Sequence, residues 1–297
     1  MKKTYESNIY IYEDAIPKRS EHLLPNVLTF DNPTRESVLL RLLLGTLNVT
    51  NKLDDIHIKQ RINYSHLGMK TVTNLSKKSL ADCQLNIYED IDNFNRYIRR
   101  NRRNTAIFEN LLFEYTSFIH QKMRKAHISG FVHLYRCIEY ISYTFPLIYA
   151  SKSTDYKGTF DALSSFFSNQ KSELKFFKKF QETLIGNDVL SLTVSLPINA
   201  PNVEMIDKFK SIITNNICRG ILFDIRGNTL ILEYKDLFDF IITLRNRYFH
   251  MLEGDGKRNI KEIDVSMDLF FETVNEVVAN WIAYIYFEIT KFGLENN

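Results

Sequence analysis

The chain has 297 residues, 44% of them hydrophobic and 25% charged, with 22 Phe but only 10 Gly and 6 Pro. That is material for one large domain or two modest ones, weighted toward helices over a turn-rich all-β fold. A net charge of +3 does not by itself imply nucleic acid. Cys83, Cys137 and Cys218 lie too far apart for a metal-ligand pattern or a disulfide framework. No apolar signal-peptide core or membrane-length run is visible, so the expectation is a cytoplasmic protein without metal or cofactor.

Residues 1–103 read as a small α+β module. Asn8–Tyr12, Asn26–Phe30 and Asp55–Lys59 alternate polar and apolar residues like short half-buried strands. Arg35–Leu47 has helical spacing, with Thr34 placed to cap it, and Leu85–Tyr88 offers another strand. Arginines at 96, 99, 100, 102 and 103 then form a linker or exposed helix end, which sets a domain boundary between 103 and 104. Arg99, Arg100, Arg102 and Arg103 are candidates for gripping RNA phosphates, and Tyr97 for stacking on a base. A solvated linker is the competing reading. Asp54-Asp55 and Asp90/Asp92 have no matched partners and suggest no metal site.

From Thr105 the period turns helical. Ile107, Leu111, Tyr115, Phe118 and Met123 share one stripe, and Leu134, Ile138, Ile141 and Phe145 another that ends at Pro146. His120, Arg124 and His127 read as a basic stretch of helix surface. Shorter helices are expected at 159–168, 172–185 and 202–215, and a β-hairpin at 220–225 and 229–234 around Arg-Gly-Asn. Two helices close the chain, at 235–252 and about 262–291, the second with an apolar stripe suited to core or dimer interface. No P-loop, dinucleotide-binding glycine motif or zinc-protease H-E-x-x-H occurs, which argues against those classes.

The helix at 235–252 carries the functional signal. On a wheel of about 100° per residue, Leu237, Ile241, Leu244, Tyr248 and Met251 fall within roughly 40° either side of Leu237 and form a core stripe. Asp239, Thr243, Asn246 and His250 lie on the opposite side, with Asn246 and His250 an i,i+4 pair whose side chains can meet. Arg245 sits instead on the apolar arc beside Phe238, Phe249 and Leu252. A guanidinium there stays charged and needs an internal acid, an aromatic shelf, a subunit seam or a phosphate. Glu139 is one candidate acid. Arg247 lies nearer the polar side and reads as a solvated or phosphate-contacting charge.

Arg245-Asn246-x-x-x-His250 resembles the R-x4-6-H motif of the HEPN superfamily, in which a polar residue commonly follows the arginine. Leu134-Tyr-Arg-Cys-Ile-Glu-Tyr140 resembles the early helix of such domains, and the likeness covers about residues 105–291. The inserted hairpin departs from a minimal HEPN bundle, and residues 1–103 match no family. The resemblance implies a mainly α protein: a C-terminal HEPN-like helical bundle with an inserted β-hairpin, preceded by the small α+β module. It also implies a metal-independent endoribonuclease, typically a toxin or effector of bacterial antiphage defence, acting as a homodimer with a composite cleft. Arg245 and His250 are then the catalytic candidates, with Asn246 as a supporting polar residue; Glu139, read from the helix pattern alone, is a supporting acid whose role is structural ahead of catalytic.

Histidine titrates near neutral pH and serves as general acid or base, while arginine holds a phosphate bidentately. Arg245 and His250 stand about 140° apart on an ideal helix, so a second copy is expected to complete the site. A helix-end histidine satisfying terminal carbonyls is the bland alternative for His250. Two other functions compete. One is a non-catalytic HEPN-like dimeric scaffold or nucleic-acid-binding partner of a defence or toxin–antitoxin system, in which an internal salt bridge consumes Arg245. The other is an effector held silent until a regulatory partner or phage-derived activator engages residues 1–103.

Overall fold

The computed structural model describes residues 3–24, 28–67, 69–72, 91–100, 104–168, 177–178, 181–182, 185–250, 259–260 and 266–295. In the N-terminal half the alternating stretches become an antiparallel sheet of four strands in sequential order: β1 (Thr4–Glu6), β2 (Tyr10–Asp14), β3 (Leu47–Asn51) and β4 (His57–Gln60). Tyr10 and Tyr12 of β2, Leu47 and Val49 of β3 and Ile58 of β4 form the buried face, as period-two alternation requires. Two short strands follow, β5 (Ile62–Asn63) and β6 (Lys70–Thr71).

Helix α1 (Arg35–Leu43) starts where Thr34 accepts from the Ser37 backbone N–H while the Ser37 hydroxyl accepts from that of Thr34. Such reciprocal capping contributes on the order of 1 kcal/mol. The helix stops short of the expected Leu47. Gly45 turns the chain at φ +74 with its Cα against the Arg61–Ile62 backbone, where an added Cβ would lie 2.8 Å from Arg61 C. Leu47 therefore opens a strand. Of the expected strand 26–30, residues 28–30 are irregular; residues 26 and 27 and the strand at 85–88 lie outside the described residues.

The arginine-rich segment is helix α2 (Ile91–Arg100), packed against the last helix, and not an open linker. Arg96, Arg99 and Arg100 are exposed, but Phe94, Tyr97 and Ile98 are buried. Tyr97 lies so close to Gly293 that a Cβ there would sit 2.7 Å from its ring. It is a core residue, and no face is left for a base. Arg102 and Arg103 lie outside the described residues.

The C-terminal half is built on α3 (Thr105–Met123), α4 (His127–Lys152) and α9 (Met267–Glu295), which pack in the order α3, α4, α9. Leu111, Tyr115 and Phe118 are buried as expected, whereas Met123 is exposed. Pro146 does not end α4, which runs on to Lys152. Proline removes one backbone donor, and the surrounding turns carry the helix past it. After α5 (Tyr156–Ser168) and α6 (Asn187–Leu190) comes β7 (Thr193–Pro197), then α7 (Val203–Ile212), capped by Asn202. The expected hairpin is present as β8 (Phe223–Arg226) and β9 (Thr229–Glu233), turning at Gly227 with φ +58. It belongs to a three-stranded sheet ordered β7-β9-β8, because β7 pairs with β9. Helix α8 (Leu237–Phe249) follows. Its Leu237, Ile241 and Leu244 are buried and Tyr248 is half-buried, while Met251 lies outside the described residues.

One continuous apolar core runs through both halves. The sheet meets α3 through paired hydroxyls, Tyr10 with Ser117 at 3.1 Å and Tyr12 with Thr116 at 3.0 Å. Beside them His120 Nε2 lies 2.8 Å from Asp54 Oδ2 and 3.2 Å from Asn51 Nδ2. His120 and His127 are thus buried and not basic helix surface, and Asp54 has a matched partner. No described helix is long and apolar enough to cross a membrane.

Candidate functional site

Helix α8 crosses α4 near its C-terminal end, and aromatic rings fix the crossing. Phe249 stacks on Phe131 of α4 with centroids 6.0 Å apart and planes 3° from parallel. Phe271 of α9 reaches Phe131 at 4.7 Å and Tyr248 at 5.2 Å. Ring pairs at these separations contribute about 0.5–1.5 kcal/mol each beyond their buried area. Beyond the helix, the Ile260 backbone N–H donates to the Arg247 carbonyl at 2.9 Å.

This crossing leaves a cleft of about 220 Å³ bounded by Phe131, Tyr135, Arg136 and Glu139 of α4 and by Arg245, Phe249 and His250. Of the motif residues, Arg245 and His250 meet here, and Glu139 joins them from α4. The anomaly of Arg245 is resolved by an aromatic shelf: its Cζ lies 4.7 Å from the centroid of the Tyr135 ring. No carboxylate among the described residues lies within ion-pair distance of it. Its one hydrogen bond there is Nη1 to Asn246 Oδ1, at 3.0 Å. Glu139 shares the cleft without reaching the guanidinium. Both still act on Tyr135, whose pKa burial raises, Arg245 lowers and Glu139 raises.

Two expectations of the helix wheel change. His250 has left the helix, with φ −112 and ψ 108, and is exposed. The i,i+4 relation to Asn246 therefore no longer applies, since it holds only within a continuous helix. Asn246 instead orients Arg245. The His250 imidazole makes no hydrogen bond to any described residue, so it is not occupied in capping carbonyls. Arg247 is half-buried and does not line the cleft; nor do Arg99 and Arg100, exposed at the end of α2.

The cleft holds a second cation. Glu114 of α3 is buried and accepts from His133 Nδ1 at 2.6 Å and from Arg136 Nη1 at 3.4 Å. Arg136 nevertheless keeps half its side chain in solvent at the cleft mouth. Tyr135 and Arg136 both lie inside the Leu134–Tyr140 string, where sequence reasoning favoured Glu139. The signal was present: Phe131, Tyr135 and Glu139 recur at intervals of four, as do Val132 and Arg136, so one face of α4 carries rings and charges together.

Cys137 and Cys218 are buried free thiols, and burial pushes Cys218 up to about 12, which removes it as a nucleophile. Cys83 lies outside the described residues. Comparison with protein-family models, with curated proteins and with solved structures returns no match.

Proposed function

We propose that the chain is a metal-independent endoribonuclease that cleaves RNA by attack of its own 2′-OH, with Arg245 and His250 as catalytic residues. The observation that carries this reading is the state of Arg245. Its guanidinium has no carboxylate partner among the described residues, rests on the Tyr135 ring and borders a cleft shared with His250 and Arg136. A scaffold arginine of this kind would be consumed by an internal ion pair. A phosphate-binding arginine keeps donors available for a bidentate contact.

The chemistry follows from the groups present. Arg245, steadied by Tyr135 beneath and Asn246 beside it, holds the scissile phosphate and stabilises the charge that grows on its oxygens. Arg136 adds a second positive charge at the mouth. His250 takes the 2′-OH proton as the 2′-oxygen bonds to phosphorus; the bond from phosphorus to the 5′-oxygen breaks, and that oxygen receives a proton. The products are a 2′,3′-cyclic phosphate and a 5′-OH end. The exposed position of His250, outside the regular helix, suits completion of the site by a second copy of the chain, whose imidazole supplies the returning proton. The HEPN resemblance implies the setting, an effector or toxin of antiphage defence.

The test is incubation of the full chain with total RNA in EDTA, beside R245A and H250A. The expected result is cleavage by wild type alone, directly or on addition of infected-cell lysate. Equal cleavage by all three proteins, or intact RNA in every arm, contradicts the proposal.

A further inference from the structure

A larger cavity, of about 380 Å³, lies at the seam between the two halves, well within the range of small-molecule pockets. Its walls are mostly apolar: Tyr5 of β1, Pro33 before α1, Ile98 of α2 and Phe108 of α3. Among them stands Glu36, in the first turn of α1. It is 4% exposed and has no hydrogen bond or ion pair to any described residue.

The neighbouring charges do not compensate it. Arg35 also borders the cavity, but its Nε lies 3.0 Å from Glu109 Oε2. Burial holds the Glu36 carboxyl well above the ordinary carboxylate range. Glu114, the other buried glutamate described, shows the contrast, since His133 and Arg136 both reach it. A carboxyl left without a partner inside an apolar wall is costly unless something outside the chain meets it.

We infer that this cavity binds a small organic cation, a primary ammonium on an apolar stem, with Glu36 receiving the ammonium and Tyr5 and Phe108 flanking the stem. A carboxylate set among aromatic rings suits such a group, because the rings favour the cation and the carboxylate fixes its end. An anion is disfavoured, since Glu36 already occupies the positive end of α1 and Arg35 is held by Glu109. The same ammonium chemistry is offered by a free monoamine and by the lysine side chain of a peptide. The site is separate from the Arg245 cleft, and neither assignment depends on the other.

The test is calorimetry on the full chain with phenethylamine and with a blocked peptide, acetyl-Gly-Lys-Gly-amide. 2-Phenylethanol and 3-phenylpropionate serve as neutral and anionic counterparts of the first probe. The proposal expects at least one ammonium probe to bind, and the probe that binds more tightly identifies the source. E36Q should weaken that binding at least tenfold, and the alcohol and the carboxylate should not compete. E36Q keeps the shape of the buried carboxyl and removes only its ability to ionise, so it is expected to fold, and its melting temperature is recorded alongside. Equal binding of the amine by E36Q, equal binding of the alcohol, or no binding by either ammonium probe overturns the assignment.

Discussion

Arg41 and Arg245 both project from amphipathic helices into largely apolar surroundings, one in each half of the molecule, and the fold treats them in opposite ways. Arg41 is 0% exposed, and its donors are engaged by Thr46 Oγ1 at 2.7 Å, the Leu28 carbonyl at 2.8 Å and Asp14 Oδ1 at 2.6 Å, with Phe30 beneath it. Arg245 has a ring beneath it as well, but its one hydrogen bond to a described residue goes to the side chain next in sequence. The first arrangement ties α1 to β2 and the start of β3. The second holds a guanidinium in place while leaving donors for a ligand. An aromatic shelf is common to both; the number of fixed oxygen acceptors is what differs.

The sharpest way to break this contrast is to remove each arginine and measure folding. R41A strands Asp14 in a buried position without its cation, and should cost about 3–5 kcal/mol in chemical denaturation. A loss below about 1 kcal/mol would deny the nest its structural role. R245A should leave stability within about 1 kcal/mol of wild type but lower RNA cleavage by about 100-fold or more, the loss expected when a charge-stabilising donor is removed. Unfolding on a par with R41A would make Arg245 a second structural arginine.

A parallel contrast holds for Glu114, met by two cations, and Glu36, met by none. The folded-state pKa of Glu36 is raised above its unfolded value. Its contribution to stability is therefore fully present below the unfolded pKa and lost as pH rises through the folded one. Among the described residues Tyr5 and Arg35 share its cavity, and Glu109 pairs with Arg35. E36Q should thus stabilise the protein above neutral pH by about 1–3 kcal/mol, and the gain should vanish in acid. Denaturation across a pH series reads it directly. The smallest effect concerns the shelf under Arg245: Y135F should keep RNA cleavage near wild type, while Y135L lowers it by about 2- to 30-fold. Equal rates for the two would remove the ring from the account.

Much of the fold could be read from periodicity. The strands around Tyr12 and Ile58, helix α1 with its Thr34 cap, the long helices and the hairpin all follow from local pattern and capping chemistry. What escaped was decided at a distance. Nothing local says that Leu47 leaves the helix for a strand, since that depends on Gly45 meeting the Arg61 backbone. The arginine run concealed a buried face, Phe94, Tyr97 and Ile98, whose partner is nearly two hundred residues away in α9. His120 looked basic because its partners, Asp54 and Asn51, lie elsewhere in the chain. In the site, the wheel placed Arg245 on the apolar arc and so predicted its need for a partner. It could not choose Tyr135 over Glu139, because that choice rests on how α8 crosses α4. His250 was placed on the wrong geometry for a simpler reason: the helix ends one residue before it.

The most direct measurement of the central claim is end-group analysis of RNA incubated in EDTA with wild type and with R245A at matched folded concentration. Wild type should leave 2′,3′-cyclic phosphate and 5′-OH ends, lost in R245A while the melting temperature is unchanged. The same ends produced at the same rate by both proteins would contradict it.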